Sequence, residues 1–268
     1  MTPKASTAPV DIAGDTVQSV GTALDVLGCL AESPELGVTE LARRLGVAKS
    51  TAHRLLATLC AKGLVEHCPD SAKYRLGQRL HELGEVVASR SRLRELSLPL
   101  LEGLRERTGQ TVHLAVPWAG QVFYVERLES YRGAYFSSRV GRRMPSHCTS
   151  SGKAIAAFNP EHAAAACRLG FPRVTGRTIR DKATFLQCLQ ETRRRGYAYS
   201  VEEGSLGLSS IAAPIVDHEG TARAAISVAG PTAQIIGDDV GRVARLVLEA
   251  AARLGRQEVT WWNGVGYR

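Results

Sequence analysis

Apolar residues recur at helical spacing from Val17 onward. Val20, Ala23, Leu24, Leu27 and Leu30 fall at i, i+3, i+4, i+7 and i+10 and predict a first helix with one apolar face. The run S-P-E-L-G at 33–37 breaks the period. Leu41 and Leu45 carry a short second helix, with Gly37 at its N-cap, Glu40 at the third position as a weakened capping box, and Gly46 ending it. Ala52, Leu55, Leu56 and Leu59 predict a third helix over about 48–62, closed by Gly63. Its polar residues, Lys49, Ser50, Thr51, His53, Arg54 and Thr58, cluster toward its start and outer side. Two helices joined by a Gly-containing turn read as helix-turn-helix. The stretch L-V-E-H-C-P-D-S-A-K-Y-R-L then predicts strand, Pro-Asp turn and strand, a hairpin that would form a wing.

The helical period resumes with Leu80, Leu83 and Val87, a linker helix, and again over about 93–107. The pattern then changes. T-V-H-L-A-V-P at 111–117 and Q-V-F-Y-V-E-R-L at 121–128 alternate around W-A-G and predict a hairpin, with a third strand near Gly133–Arg139. A helix beginning near Ser151 is followed by helices at about 160–168 and 181–195, strands at about 197–202, 209–216 and 222–229, and a helix from about 237 to 255. Antiparallel strands with segregated helices predict an α+β domain. The expected organisation is a flexible arm (1–15), a winged helix-turn-helix (16–77), a linker helix (78–92), a second domain (93–255) and a tail (256–268) holding two of the three Trp.

Charge sharpens this picture. The 268-residue chain carries a net +8, and over 39–79 eight basic residues face three acidic ones, a net of +5. Basic charge on a winged helix-turn-helix fits counterion release from phosphate and points to double-stranded DNA as partner. The N-terminus has no apolar run of signal length, and no stretch approaches the roughly 20 apolar residues that span a bilayer, so a soluble cytoplasmic protein without a membrane partner is expected. The six Cys form no C-x-x-C pair and read as small buried hydrophobes.

The stretch P-S-H-C-T-S-S-G-K-A-I-A-A-F at 145–158 concentrates the candidate chemistry. Ser150 and Lys153 have the S-x-x-K spacing of a serine hydrolase, but the S-D-N and K-T-G strings that go with it are absent. Gly152-Lys153 resembles a phosphate-loop fragment, yet His147 stands at the first Gly position and Ala154 at the Ser/Thr position. His113, His147, Cys148 and Glu203 match no compact metal-ligand spacing, and neither metal nor cofactor is expected. Binding asks for less. Ser150, Ser151 and Gly152 sit where a loop enters a helix, whose first N–H groups are unpaired and whose dipole is positive, a site suited to a carboxylate. The alternative is that the two serines only cap the helix.

The segments T-E-L-A-R-R-L-G-V-A-K-S-T-A-H-R-L-L-A-T-L, G-L-V-E and Y-R-L-G resemble the DNA-binding domain of IclR-type transcriptional regulators. S-H-C-T-S-S-G-K-A, R-R-R-G-Y-A, E-E-G-S-L-G-L-S-S-I-A-A-P-I-V-D and A-A-I-S-V-A-G-P are similar to that family's effector-domain blocks, in its order. The resemblance implies a GAF-like effector domain, a homodimer or dimer of dimers, and a DNA-binding regulator, by default a repressor, that reads a palindromic operator and responds to a small organic acid, aliphatic or aromatic. It places the effector at Ser150, Ser151 and Gly152, with Ser200 where relatives often carry Asp, Ser210 where many carry Cys, Ser227 matching a strand Ser, and Ala229 replacing that strand's second Ser. For DNA it points to Lys49, Ser50, Thr51, His53 and Arg54 on the third helix, Arg43 and Arg44 on the second, and Lys73 and Arg75 on the wing. A hydrolase with an attached DNA-binding domain and a ligand-independent DNA-architectural protein are the rival classes.

Overall fold

The computed structural model describes residues 17–89, 91–131, 143–237 and 240–257, which fall into two units dividing between residues 90 and 91. The predicted arm, the strand near Gly133–Arg139 and the tail from residue 258 lie outside the described residues.

The first unit comprises helices α1 (Gln18–Glu32), α2 (Val38–Leu45) and α3 (Lys49–Ala61), strands β1 (Val65–Cys68) and β2 (Lys73–Leu76), and helix α4 (Arg79–Ser89). Val26, Leu30, Leu36, Leu41, Leu56, Leu59 and Val65 form its core. The α1 period is as read, but its face is displaced: Val20 and Leu24 are 55% and 58% exposed, and Val26 is fully buried instead. The α2–α3 turn is made at Gly46, which is left-handed (φ 65°) and donates back to the Ala42 and Arg43 carbonyls. No capping box forms at Gly37, because the Glu40 carboxylate turns instead to Arg43 and Arg44. The hairpin pairs Val65 with Leu76 through Cys68 with Lys73, and Leu36 exchanges backbone hydrogen bonds with Tyr74 on its outer side. Gly77 packs on the end of α3: a Cβ there would stand 2.3 Å from the Gly63 carbonyl oxygen. Helix α4 has no buried residue among those described.

The second unit opens with α5 (Arg92–Thr108) and is built on a six-stranded antiparallel sheet in the order β5-β4-β3-β8-β7-β6. The strands are β3 (Thr111–Trp118), β4 (Gln121–Leu128), β5 (Arg143–Pro145), β6 (Ala198–Val201), β7 (Leu208–Val216) and β8 (Ala222–Pro231). The helices α6 (Ser150–Phe158), α7 (Pro160–Leu169) and α8 (Lys182–Arg195) precede β6, and α9 (Thr232–Ile235) and α10 (Val240–Gly255) follow β8.

Strand alternation divides the side chains into two layers. Leu114, Val116, Ile211, Ile215, Ile226 and Val228 point to one face and are covered by α5 and α10. Ala115, Ala212, Ala225 and Tyr124 point to the other and meet α6. The small residues of α6 let it lie close on the sheet, while Phe185 and Leu189 of α8 cover its outer side. Every residue from Ser150 to Ala157 is therefore buried, so α6 has no solvent face.

One irregularity matters for the site. Leu114 pairs with Glu126 and Ala115 with Tyr124, so Val125 is an extra residue in β4, a bulge. Without it, Tyr124 and Glu126 would share a face. With it, Tyr124 joins the α6 layer, Val125 packs in the α5 layer, and Glu126 reaches Arg94 of α5.

Candidate functional site

On the first unit the expected DNA-facing residues are all exposed to solvent. Lys49, Ser50, Thr51, His53 and Arg54 are all exposed, because Ala52, Leu56 and Leu59 take the opposite side of α3 into the core. Lys73 and Arg75 lie two apart on β2, and so on one face of the wing. Their electrostatic states differ. Arg43 and Arg44 both bind Glu40, at 2.8 Å each, and these contacts hold the Glu40 carboxyl down at about 2. Arg75 binds Glu66 at 3.0 Å. Among the described residues Lys49 and Arg54 have no ion pair, so their charge is available to an external anion, while Lys73 acts on the Glu35 carboxylate.

In the second unit the entry into α6 is built by a 3-10 turn at Ser146–Cys148. Thr149 is the cap: its Oγ1 accepts from the Gly152 N–H at 3.2 Å and its hydroxyl donates to the Pro145 carbonyl. The capping role considered for Ser150 and Ser151 therefore belongs to their neighbour. A Cβ on Gly152 would stand 2.3 Å from Ser146 Cα, so only glycine lets the turn close this tightly. The Ser150 hydroxyl donates to Ser210 Oγ at 2.7 Å. Ser151, 1% exposed, makes no close hydrogen bond through its hydroxyl, and Tyr124 packs in the same layer beside α6.

The sheet register brings the remaining predicted residues together. Ser200 pairs with Ser210, Ser210 with Ala229, and Ala229 with Thr111, one row across four strands. The neighbouring row holds His113, Ser227 and Ala212. The Ser200 hydroxyl donates to the Cys148 carbonyl at 3.1 Å, tying this row to the 3-10 turn. Thr111, His113 and Tyr124 were not read as site residues. Alternation on β3 places the first two on the α6 side, and the bulge that brings Tyr124 there has no signature in periodicity.

Charge in this unit is neutralised internally. Lys153, 1% exposed, donates to both Glu203 carboxylate oxygens at 2.7 and 2.9 Å. Burial drives His113 down to about 3 and His162 down to about 4, so both imidazoles are neutral near pH 7. His162 instead shares a hydrogen bond with the Ser146 hydroxyl at 2.8 Å. Burial lifts the Tyr124 phenol well above its ordinary range and the Cys148 thiol up to about 12, so neither ionises. His147 binds the Pro172 carbonyl and stacks edge-on against Phe171. No three His, Cys, Asp or Glu side chains converge as a metal site among the described residues. The S-x-x-K spacing does not become a dyad either: Ser150 points to Ser210 while Lys153 points to Glu203.

Residues 19–69 match the model of the IclR helix-turn-helix domain, and residues 85–256 that of the bacterial transcriptional regulator IclR C-terminal region. The chain belongs to the IclR family of transcriptional regulators. This IclR-family chain is 33% identical over 243 residues to the HTH-type transcriptional regulator XynR of Escherichia coli, spanning 90% of this chain and 96% of that protein. It is 31% identical over 254 residues to the transcriptional repressor IclR of the same organism, covering 93% and 92%. Among solved structures, an IclR homolog from Microbacterium hydrocarbonoxydans complexed with 4-hydroxybenzoate aligns with TM-score 0.75 and 29% identity over 88% of this chain and 97% of that one. Like the family, it is a DNA-binding transcriptional regulator and not an enzyme. No described helix is long and apolar enough to cross a membrane.

Proposed function

We propose that this regulator is a repressor that holds a palindromic operator through α3 and the wing, and that a small organic carboxylate bound at the start of α6 changes its hold on DNA. The carrying observation is the Ser151 hydroxyl, buried and without a close partner, beside leading N–H groups of α6 that the Thr149 cap leaves open. An acid placed there would meet backbone donors and the helix dipole rather than a side-chain cation, since Lys153 is engaged by Glu203. The relative complexed with 4-hydroxybenzoate supports an acid of this class. The row of Thr111, Ala229, Ser210 and Ser200 would line the adjoining surface, with Ser227 one row over.

Lys49, Ser50, Thr51, His53 and Arg54 are the proposed groove contacts, with Lys73 on the wing and Arg43, Arg44 and Arg75 at phosphates after exchanging their carboxylate partners. A homodimer or dimer of dimers acting in the cytoplasm would present two α3 helices to half-sites about one helical turn, roughly 34 Å, apart. Residues 78–92, containing α4, would join the two domains.

Fluorescence anisotropy on the DNA upstream of the regulator's own gene tests this reading, with a scrambled duplex as reference and a panel of aliphatic and aromatic acids including 4-hydroxybenzoate. Preference for the native duplex, altered by one acid, is the expected result. Equal binding to both duplexes, unmoved by any acid, removes it.

A further inference from the structure

We propose that the β4 bulge relays the state of the effector site to the first turns of α5. This rests on the placement of the effector at Ser150 and Ser151. Three observations converge on one short piece of strand. Tyr124, just before the bulge, packs in the layer that meets α6, against the cluster that holds Ala154 and Ile155. Glu126, just after it, accepts from Arg94 Nε at 2.6 Å in the first turn of α5. Val125 between them has no opposite residue in β3, so the ladder with that strand does not fix its position.

The receiving end is also built to move. Pro99 lies inside α5 and offers no N–H to the Glu95 carbonyl, so the turns before it are held to the rest of the helix by one bond fewer. Arg94 and Glu126 supply an outside attachment for those turns. The pair can be made or broken. Glu126 also accepts from the Arg127 N–H at 3.1 Å, and the Arg94 side chain is 37% exposed, so release leaves the carboxylate partnered and the guanidinium hydrated. Coupling requires an element with two arrangements that both sites bias. Here the element is the made or broken Arg94–Glu126 pair, biased from one face of the sheet by whatever presses on Tyr124. In sequence α5 directly follows α4, the last helix of the first unit.

Tyr124 and Glu126 are thus positioning residues, and their linkage is tested without any effector. Amide hydrogen exchange would be followed on the full chain across Glu95–Leu98, with α8 as internal reference. Tyr124→Ala is expected to speed exchange across Glu95–Leu98 roughly fivefold or more while α8 is unmoved. In a Glu126→Gln background, where the pair is already weakened, Tyr124→Ala should add little. Tyr124→Leu, which retains more bulk, replaces it should the alanine variant not fold. An unchanged rate at Glu95–Leu98, or a full additive effect in the double variant, overturns the relay. A parallel rise in α8 means global loosening and overturns it as well. Failure of every acid to shift the thermal melt of the wild-type protein would instead remove the effector site and leave the exchange result standing.

Discussion

Lys49 and Arg54 on α3 stand in solvent with no carboxylate beside them, whereas Lys153 on α6 is sealed against Glu203 and only 1% exposed. Both helices carry two small polar residues and a lysine within their first turn. The difference lies in what surrounds them. Helix α3 has one covered face, so its polar side chains remain free and can exchange water and counterions for phosphate. Helix α6 is covered on all sides, so any charge it carries must be cancelled within the fold. Free surface charge is suited to a long polyanion. A buried, neutralised surface with a few open hydrogen-bond donors is suited to one small ligand.

The contrast is broken most severely at Lys153. Lys153→Met should leave the Glu203 carboxylate buried and unpaired, lowering unfolding free energy by about 3–5 kcal/mol in urea titrations. Adding Glu203→Leu should recover much of the loss, and equal instability of single and double variants would show that packing rather than charge is at stake.

Acid should strain the second unit next. His113 and His162 are held neutral, at about 3 and about 4 against an ordinary value near 6.5. Between those values the unfolded chain binds more protons than the folded one, so stability is full above pH 6.5 and falls as pH drops toward 4. Each group adds up to about 1.4 kcal/mol per pH unit to the slope. Chemical denaturation at successive pH values should show the slope reduced in His162→Asn. A slope unchanged by that variant would assign the effect to other groups.

On α3 the effects should fall on binding and spare the fold. Arg54→Ala should weaken operator binding by about 1–3 kcal/mol with the thermal melt intact, and an unchanged affinity takes Arg54 out of the interface. Lys49→Ala should act more gently and on all sequences alike, reducing the salt slope of binding by about one. At the buried site, Ser151→Phe should abolish the melt shift that an effector acid gives, and a retained shift would move the ligand elsewhere.

Periodicity made the first unit legible almost residue by residue, since helix-turn-helix and wing are local structures. The third helix was read as about 48–62 and runs Lys49–Ala61. Where the reading slipped, a non-local partner decided. Val20 and Leu24 fit the α1 stripe as well as Val26 does, and only the positions of α2 and α3 select the buried side. Glu40 had the spacing for a capping box, but two arginines within one turn are stronger partners than a backbone N–H. In the second unit Ser150 is singled out by the start of a helix and Ser200, Ser210 and Ser227 by resemblance alone, because what brings them near one another is strand register. Tyr124 escaped because one extra residue in β4 reverses the face it would otherwise take.

Among the described residues, β6 stands at one margin of the sheet and is four residues long. Beside β6 the Arg195 guanidinium lies 4.2 Å over the Tyr199 ring. A short edge topped by a cation offers a poor template for stray strands. In concentrated solution, the β6 margin, which also carries Ser200 toward the buried serines, is therefore guarded against fibre-like stacking.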